Sequence, residues 1–403
     1  MVKEKLHNIR DIHIIMEVET NLSPDDIIFY SVLYSSVTVV FGMAVLSKFL
    51  TNEFRFGFRS VLSLVVLFLG EPLCQFLVKG PWGLTCFAVG CLFIYSILPA
   101  SHLPVGNKAV LITGCDSGFG HALVKKLDSI GMRVFAGCLV KDGPGAIELK
   151  NKCSERVTFL QLDLTNDKEV ELAVEYIQQQ VSTEGLWGLV NNAGVWYCSE
   201  LEMTSEKIMR RVMDVNLFGA VRITKACLPM IRASKGRIIN VSSLLGRVTL
   251  EGNGAYSMSK HALVAYTDTL RQEMRKWGVL VALIEPTGFY TGNMQEHVIK
   301  SRKEEVWDTL DETTKDTYGR EYLDHICSHI LDGTPRFSRD LTPVIRCMRS
   351  SLLSKRPRER YPCGAGAELL ITTYPLLPVW LADRLMGAIS LIPRNIKPAG
   401  LQS

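Results

Sequence analysis

The feature that most restricts this chain is an uncharged apolar run of 20 residues, Ile27 to Leu46 (IIFYSVLYSSVTVVFGMAVL). A helix of that length meets the ~20 residues needed to cross a ~30 Å hydrocarbon core. Two more apolar stretches follow: Val61 to Val78, interrupted by Glu71 and Pro72, and Trp82 to Leu98, behind a Lys79-Gly80-Pro81 turn. Residues 27–100 are expected to form a membrane anchor of two or three transmembrane helices, at about 27–46, 61–78 and 82–98, after an N-terminal tail over 1–26. A re-entrant or interfacial hairpin is the alternative for the second and third segments. Lys48, Arg55 and Arg59 lie between the first two segments, whereas the next connection offers only Lys79. The first loop is therefore expected on the cytoplasmic side, and with three crossings the chain from His102 onward lies there too. Glu4, Asp11, Glu17, Glu19, Asp25 and Asp26 precede the first run, which argues against a cleaved mitochondrial presequence.

The rest of the chain reads differently. From Ala109, short apolar runs alternate with helical patterns: Ala109 to Thr113, Ala122 to Ile130, Arg133 to Leu139, and late runs at Ile238 to Val241 and Val279 to Ile284. Such alternation implies an α/β domain of Rossmann type, a doubly wound parallel sheet covered by helices on both faces. The domain is expected over 104–322, with a charged helical stretch at 293–322 as a lid over the substrate. The C-terminal extension, 323–403, carries apolar segments between Cys363 and Ile392. Pro375, Pro378, Asp383 and Arg384 argue against a span there and favour an interfacial helix, with a core-packing tail as the alternative. A net charge of +4, without a basic block, leaves no electrostatic footprint for nucleic acid. The 11 cysteines are scattered, with no CxxC pair, so reduced thiols in a reducing compartment are expected and no metal site.

The first strand ends in Thr113-Gly114-Cys115-Asp116-Ser117-Gly118-Phe119-Gly120 and a helical pattern follows at once. Glycines there allow a tight turn and close approach of backbone to a pyrophosphate, and the helix N-terminus supplies N–H donors. Asn191-Asn192-Ala193-Gly194, then Asn216, then Ser243 with Tyr256 and Lys260 complete the pattern. Tyr256 and Lys260 are four apart, so on a helix both face one way, and the ammonium is expected to lower the phenol's pKa.

At these residues the chain resembles the short-chain dehydrogenase/reductase family, in which TGxxxGxG, NNAG and an Asn, Ser, TyrxxxLys tetrad mark the cofactor site and catalytic centre. The likeness covers about residues 107–300. The stretches TGCDSGFG, VFAGCL, WGLVNNAG and SKGRIINVSS are most similar to the membrane-associated branch holding 17β-hydroxysteroid dehydrogenase type 2, retinol dehydrogenases and D-3-hydroxybutyrate dehydrogenase. The apolar N-terminal segment and Tyr318 to Tyr322 extend that likeness. The resemblance implies Asn216, Ser243, Tyr256 and Lys260 as catalytic residues. It implies cofactor contacts at Gly114, Asp116, Ser117, Gly118, Phe119, Gly120, Asp163, Asn192, Ala193, Gly194, Tyr256, Lys260, Pro286, Gly288 and Thr291. Where the family has ProGly, this chain has Pro286-Thr287-Gly288, a departure beside the expected nicotinamide site.

The strand end Gly137-Cys138-Leu139 lacks the acid that selects NAD, but Asp116 puts a carboxylate where a 2′-phosphate would be repelled. NAD is the expected cofactor, with NADP as the alternative. The implied activity is hydride transfer to or from an alcohol of a lipophilic substrate, of the steroid or retinoid class. The implied partners are that substrate, membrane lipid and a second copy of the chain, and the implied location is the endoplasmic reticulum with the catalytic domain cytosolic, or else a mitochondrial membrane. A D-3-hydroxybutyrate dehydrogenase is the second reading, for which Arg247, Lys300 and Arg302 are the candidate cations. A noncatalytic membrane-bound dinucleotide- or lipid-binding protein is the third.

Overall fold

The computed structural model describes residues 23–51, 58–78, 80–98, 102–393 and 396–401. Most of the N-terminal tail, together with Arg55 and Lys79, lies outside these, and the side chains of Lys48 and Arg59 are likewise undescribed. The chain divides into two units, 1–103 and 104–403.

Among the described residues the first unit holds three helices: α1 (Pro24–Thr51), α2 (Phe58–Leu77) and α3 (Gly80–Ile97). The helix expected at about 61–78 runs through Glu71 and Pro72, the two residues that interrupt its apolar run. Glu71 is paired within the unit, its carboxylate accepting from Thr38 Oγ1 at 2.6 Å. Tyr34, Phe41, Phe87, Cys91 and Ile94 form a small core, yet Ile28, Phe68, Phe76 and Leu92 are more than 60% exposed. An apolar exterior of this kind is the reverse of a soluble bundle. Only α1, through Pro24–Ser47, is long and apolar enough to span a membrane by length and composition among the described residues; Val61–Leu77 and Gly80–Ser96 are shorter apolar helices.

The second unit is built on a seven-stranded, wholly parallel sheet in the order β3-β2-β1-β4-β5-β6-β7. In chain order its elements are β1 (Ala109–Thr113), α4 (Gly118–Ser129), β2 (Arg133–Cys138), α5 (Pro144–Lys152), β3 (Val157–Gln161), α6 (Asp167–Val181), β4 (Gly188–Asn191) and α7 (Glu206–Met213). Then come α8 (Ala220–Ala233), β5 (Arg237–Val241), α9 (Gly254–Met274), β6 (Leu280–Pro286), α10 (Glu296–Asp308), α11 (Glu312–Tyr318), α12 (Arg320–Gly333), α13 (Thr342–Leu353) and β7 (Arg360–Cys363). Two short helices, α14 (Ala367–Thr373) and α15 (Val379–Gly387), follow.

The central strands are buried along their whole length because both faces are covered. On one side Leu123, Leu127, Val344, Met348 and Leu352 pack against Val110, Ile112 and Ile239; on the other Ile177, Ile223, Cys227 and Leu270 pack against Leu111, Leu189 and Ile238. Truncating any one of these fully buried leucines to Ala would cost about 2–5 kcal/mol. The strand order reverses direction between β1 and β4, and in sheets of this type ligands bind at the carboxyl ends beside that reversal.

The sheet extends past the boundary at 322 drawn from the sequence. Residues 342–363 supply a covering helix and the edge strand β7, which pairs with β6 from Leu283↔Arg360 to Pro286↔Cys363. The stretch Arg-Tyr-Pro-Cys carries neither the length nor the alternation that marks a strand.

Candidate active site

The end of β1 is shaped by what cannot fit there. Gly114 has φ +68, and a Cβ on it would lie 2.8 Å from the Ala193 Cα. A Cβ on Gly120 would lie 2.6 Å from Asn192 Nδ2. Asn192 Nδ2 donates to the carbonyls of Thr113 and Gly114 at 2.9 and 3.0 Å, while the amides of Asn192 and Ala193 donate to Thr113 Oγ1. The Asn-Asn-Ala-Gly turn thus clamps β4 to the glycine loop. Ser117 stands at the N-cap of α4 without a side-chain bond to that helix, leaving the first-turn amides for an anion.

Asp116 resolves where the acid at the β2 end has gone. Its two carboxylate oxygens accept from the amides of Leu139 at 2.9 Å and Val140 at 3.0 Å. The glycine loop therefore delivers a carboxylate to the strand end that itself lacks one. Asp163, also in the cleft wall, accepts from the amide and hydroxyl of Thr165 in a local turn. Asn166, not Asp163, accepts from the first-turn amides of α6.

Asn216 sits in a π-helical turn, Asp214–Gly219, between α7 and α8. Such turns re-aim side chains and recur at functional sites. Asn216 is buried; its Oδ1 accepts from the Val195 amide at 2.8 Å, and its Nδ2 donates to the Val195 carbonyl and to Ser259 Oγ. Ser243 leaves β5 and opens a short helical turn, its Oγ accepting from the Leu245 amide at 3.1 Å. Its side chain approaches the Tyr256 hydroxyl and acts to lower the phenol's pKa. Tyr256 and Lys260 are one turn apart on α9, with Lys260 Nζ 5.6 Å from the Tyr256 ring centroid and donating to the Val241 carbonyl at 2.9 Å.

Burial dominates the titration of both groups. It pushes the Tyr256 phenol up to about 12, against the opposing effect of Ser243, and pushes the Lys260 ammonium down to about 8. The expectation that the ammonium sets a lowered phenol pKa is thus corrected: the apolar surroundings outweigh it.

Gly114, Asp116, Ser117, Asp163, the 192–194 turn, Ser243, Tyr256 and Lys260 line one cleft of about 1960 Å³, whereas Asn216 lies behind its wall, which Asp214 and Val215 help to form. Pro286, Gly288 and Thr291 lie in its wall, with Gly118 packed on Thr291. The substitution at Thr287 is absorbed by Gly364, which has φ +119 and where a Cβ would collide with Thr287 Oγ1. Beyond the tetrad, Leu250, Met294, Ile389 and Leu391 make the wall apolar. The stretch 293–322 is helical, and the hydroxyls of Tyr318 and Tyr322 donate to the carboxylates of Glu200 and Glu202.

The three candidate cations separate cleanly. Arg247 faces Glu285 at 3.2 Å and Lys300 pairs with Glu296 at 2.6 Å on the surface. Arg302 lines the cleft, donating to the Trp196 carbonyl and Asn293 Oδ1, with no carboxylate partner among the described residues. Among the described residues no group of three or more His, Cys, Asp or Glu side chains is placed to hold a metal.

The profile of the short chain dehydrogenase family matches residues 108–302. Estradiol 17-beta-dehydrogenase 2 of Mus musculus is 38% identical over 322 residues, covering 76% of this chain and 84% of that protein. The chain belongs to the short-chain dehydrogenase family. Retinol dehydrogenase 7 of Mus musculus is 39% identical across 73% of this chain and 91% of its own. A family member from Burkholderia phymatum, solved in complex with NAD, shares the fold with a TM-score of 0.58 at 21% identity, covering 71% of this chain and 96% of its own.

Two site residues escaped the sequence reading of this dehydrogenase. Thr113 was read only as a strand end, although its hydroxyl organises the Asn-Asn-Ala-Gly turn. Glu285 follows directly on the apolar run Val279 to Ile284, and a lone carboxylate at the end of such a run is the signal that marks it.

Proposed function

We propose that this short-chain dehydrogenase is membrane-anchored and transfers a hydride between NAD and an alcohol or carbonyl of a lipophilic substrate, of the steroid or retinoid class. The observation that carries the reading is the convergence of Ser243 on the Tyr256 hydroxyl beside Lys260, in a cleft whose far wall is apolar. The first-turn amides of α4, left without a side-chain cap by Ser117 and reached by a turn whose tight packing requires Gly114 and Gly120, fit a dinucleotide pyrophosphate. When bound there, the nicotinamide supplies the hydride acceptor or donor. Asp116, Ser117, Gly118, Phe119, Asp163 and the 192–194 turn would hold its adenosine and phosphate half, and Thr291 its amide end. The Asp116 carboxylate at the β2 end supports NAD over NADP, since a 2′-phosphate there meets negative charge.

Tyr256 exchanges the proton with the substrate oxygen. Its high pKa keeps it protonated at neutral pH, the form that donates to a carbonyl, and Ser243 orients the same oxygen. As that proton leaves, Lys260, largely cationic below pH 8, stabilises the charge that develops on the phenol; in the oxidative direction it stabilises the phenolate that must be present at the start to accept the hydroxyl proton. Asn216, with both amide atoms engaged on the Val195 backbone, holds the turn through which a water would pass the proton onward.

Membrane attachment is supported by α1 and by the apolar exterior of the first unit. In the second unit, α14 and α15 expose Leu369, Leu376, Val379 and Trp380, and Ile389 just beyond them lines the cleft mouth. An interfacial role for that face would let an apolar substrate enter from lipid. We assign the catalytic domain to the cytosolic face of the endoplasmic reticulum, and a homodimer paired through α9, where Met258 is exposed.

A second reading has one observation in its favour: Arg302, a cation in the cleft without a carboxylate partner, suits a small hydroxy acid. A substrate panel on the detergent-solubilised full chain, spanning steroids, retinoids and 3-hydroxybutyrate with both cofactors, tests the proposal. Turnover of steroid or retinoid with NAD supports it; turnover confined to 3-hydroxybutyrate replaces it with the second reading.

A further inference from the structure

Behind the catalytic serine lies a buried ion network that the chemistry above does not use. Glu285 is the one charged residue of β6 and is fully buried. Its Oε1 lies 3.2 Å from Arg247 Nε and 3.1 Å from Arg360 Nη1. Arg247 closes the short turn that Ser243 opens. Arg360 begins β7 and also pairs with Asp268 on α9, the helix that carries Tyr256 and Lys260. Asp268 is held in turn by Arg271 at 2.5 Å.

The serine turn also bears directly on α9. Ser242 Oγ donates to the Lys260 carbonyl at 3.2 Å, and a Cβ on Gly246 would lie 2.9 Å from that same oxygen. From the other side, the Ser242 amide donates to the Ile284 carbonyl at 2.8 Å, one residue from Glu285. The turn is thus clamped between β6 and α9, and the ion network ties the two clamps together through β7.

A buried ion pair contributes little net stability, because the desolvation of its charges offsets their attraction, while breaking it leaves an uncompensated charge. What such a network fixes is geometry. We propose that Arg247, Glu285, Arg360 and Asp268 are positioning residues that set the separation between Ser243 and the Tyr256–Lys260 pair. Resting on the assignment of those three as the catalytic groups, the network makes the edge strand β7 part of the catalytic apparatus, although it contributes no group to the reacting atoms.

The test uses the full chain in detergent, with kcat expressed per NADH-binding site so that loss of folded protein is not counted as loss of catalysis. Glu285→Gln and Arg247→Met should each lower kcat about tenfold or more, the scale expected when a catalytic group is displaced by a fraction of an ångström. NADH affinity should stay within about twofold, since the glycine loop, Asp116 and the Asn-Asn-Ala-Gly turn lie outside the network. Arg247→Lys, which keeps a positive charge beside Glu285 but not the guanidinium geometry, should restore part of the rate lost in Arg247→Met. Arg247→Met leaves the Glu285–Arg360 pair in place, so it carries the test if Glu285→Gln does not fold. A kcat within twofold of wild type for Arg247→Met overturns the proposal. Tyr256→Phe is measured alongside: an active Tyr256→Phe overturns the catalytic assignment itself, whereas an inactive Tyr256→Phe beside an unimpaired Arg247→Met overturns the network alone.

Discussion

Replacing Lys260 by Met should stabilise the cofactor-free protein while abolishing turnover. Lys260 is buried, its ammonium donates to the Val241 carbonyl, and burial holds its pKa at about 8 against an ordinary 10.5. A difference of about 2.5 units at 1.36 kcal/mol each amounts to roughly 3 kcal/mol set against the fold while the lysine is charged in both states. Loss of the hydrogen bond returns about 1 kcal/mol, so Lys260→Met, of similar volume, should gain about 2 kcal/mol at pH 7. The pH dependence follows from the sign of the shift. Between pH 8 and 10.5 the unfolded chain binds more protons than the folded one, so wild-type stability rises relative to the variant across that window; the gap closes roughly 1.5 pH units above 8, and by pH 10.5 the wild type leads by the hydrogen bond's about 1 kcal/mol. Thermal unfolding of both proteins in one detergent, followed by tryptophan fluorescence at pH 7 and pH 10, reads this directly. A variant that melts earlier at pH 7, with a difference that does not change toward pH 10, would refute the reasoning that burial sets the charge state of Lys260.

Asp116→Arg should shift preference from NAD toward NADP, because it exchanges a carboxylate at the β2 end for a guanidinium; a wild-type enzyme already tenfold better with NADP contradicts the reading. The topology argument predicts that protease added to sealed microsomes degrades the domain from 104 onward. In the same vesicles, a glycosylation acceptor engineered near Ser23 should be modified and one near Ser403 should not. Protection of the domain would sink the three-crossing arrangement.

The parts of the fold legible in the sequence are those that local patterning dictates. The apolar run Ala109–Thr113 followed by Gly114, and the four-residue spacing of Tyr256 and Lys260, carry their structural meaning within a few residues. What stayed hidden depends on partners far along the chain. The Asp116 carboxylate finds its role at Leu139 and Val140, more than 20 positions on. Arg247, a candidate substrate cation by position, is taken up by Glu285. The strand β7 forms only because β6 offers its edge, and nothing within Arg-Tyr-Pro-Cys announces it. The Tyr256 titration was misjudged for the same reason: the neighbouring lysine is visible in sequence, whereas the burial that outweighs it is assembled from the whole site. In the first unit, the helix expected at about 61–78 forms through Pro72, as the length of its apolar pattern implies.

The measurement closest to the central claim is transfer of the label from a substrate deuterated at its carbinol carbon, using the full chain in lipid nanodiscs with NAD and a steroid or retinoid alcohol. The account predicts deuterium at the nicotinamide C4 of the NADH formed by wild type, and none with Tyr256→Phe. Product without label in the nucleotide, or equal labelling by Tyr256→Phe, would contradict it.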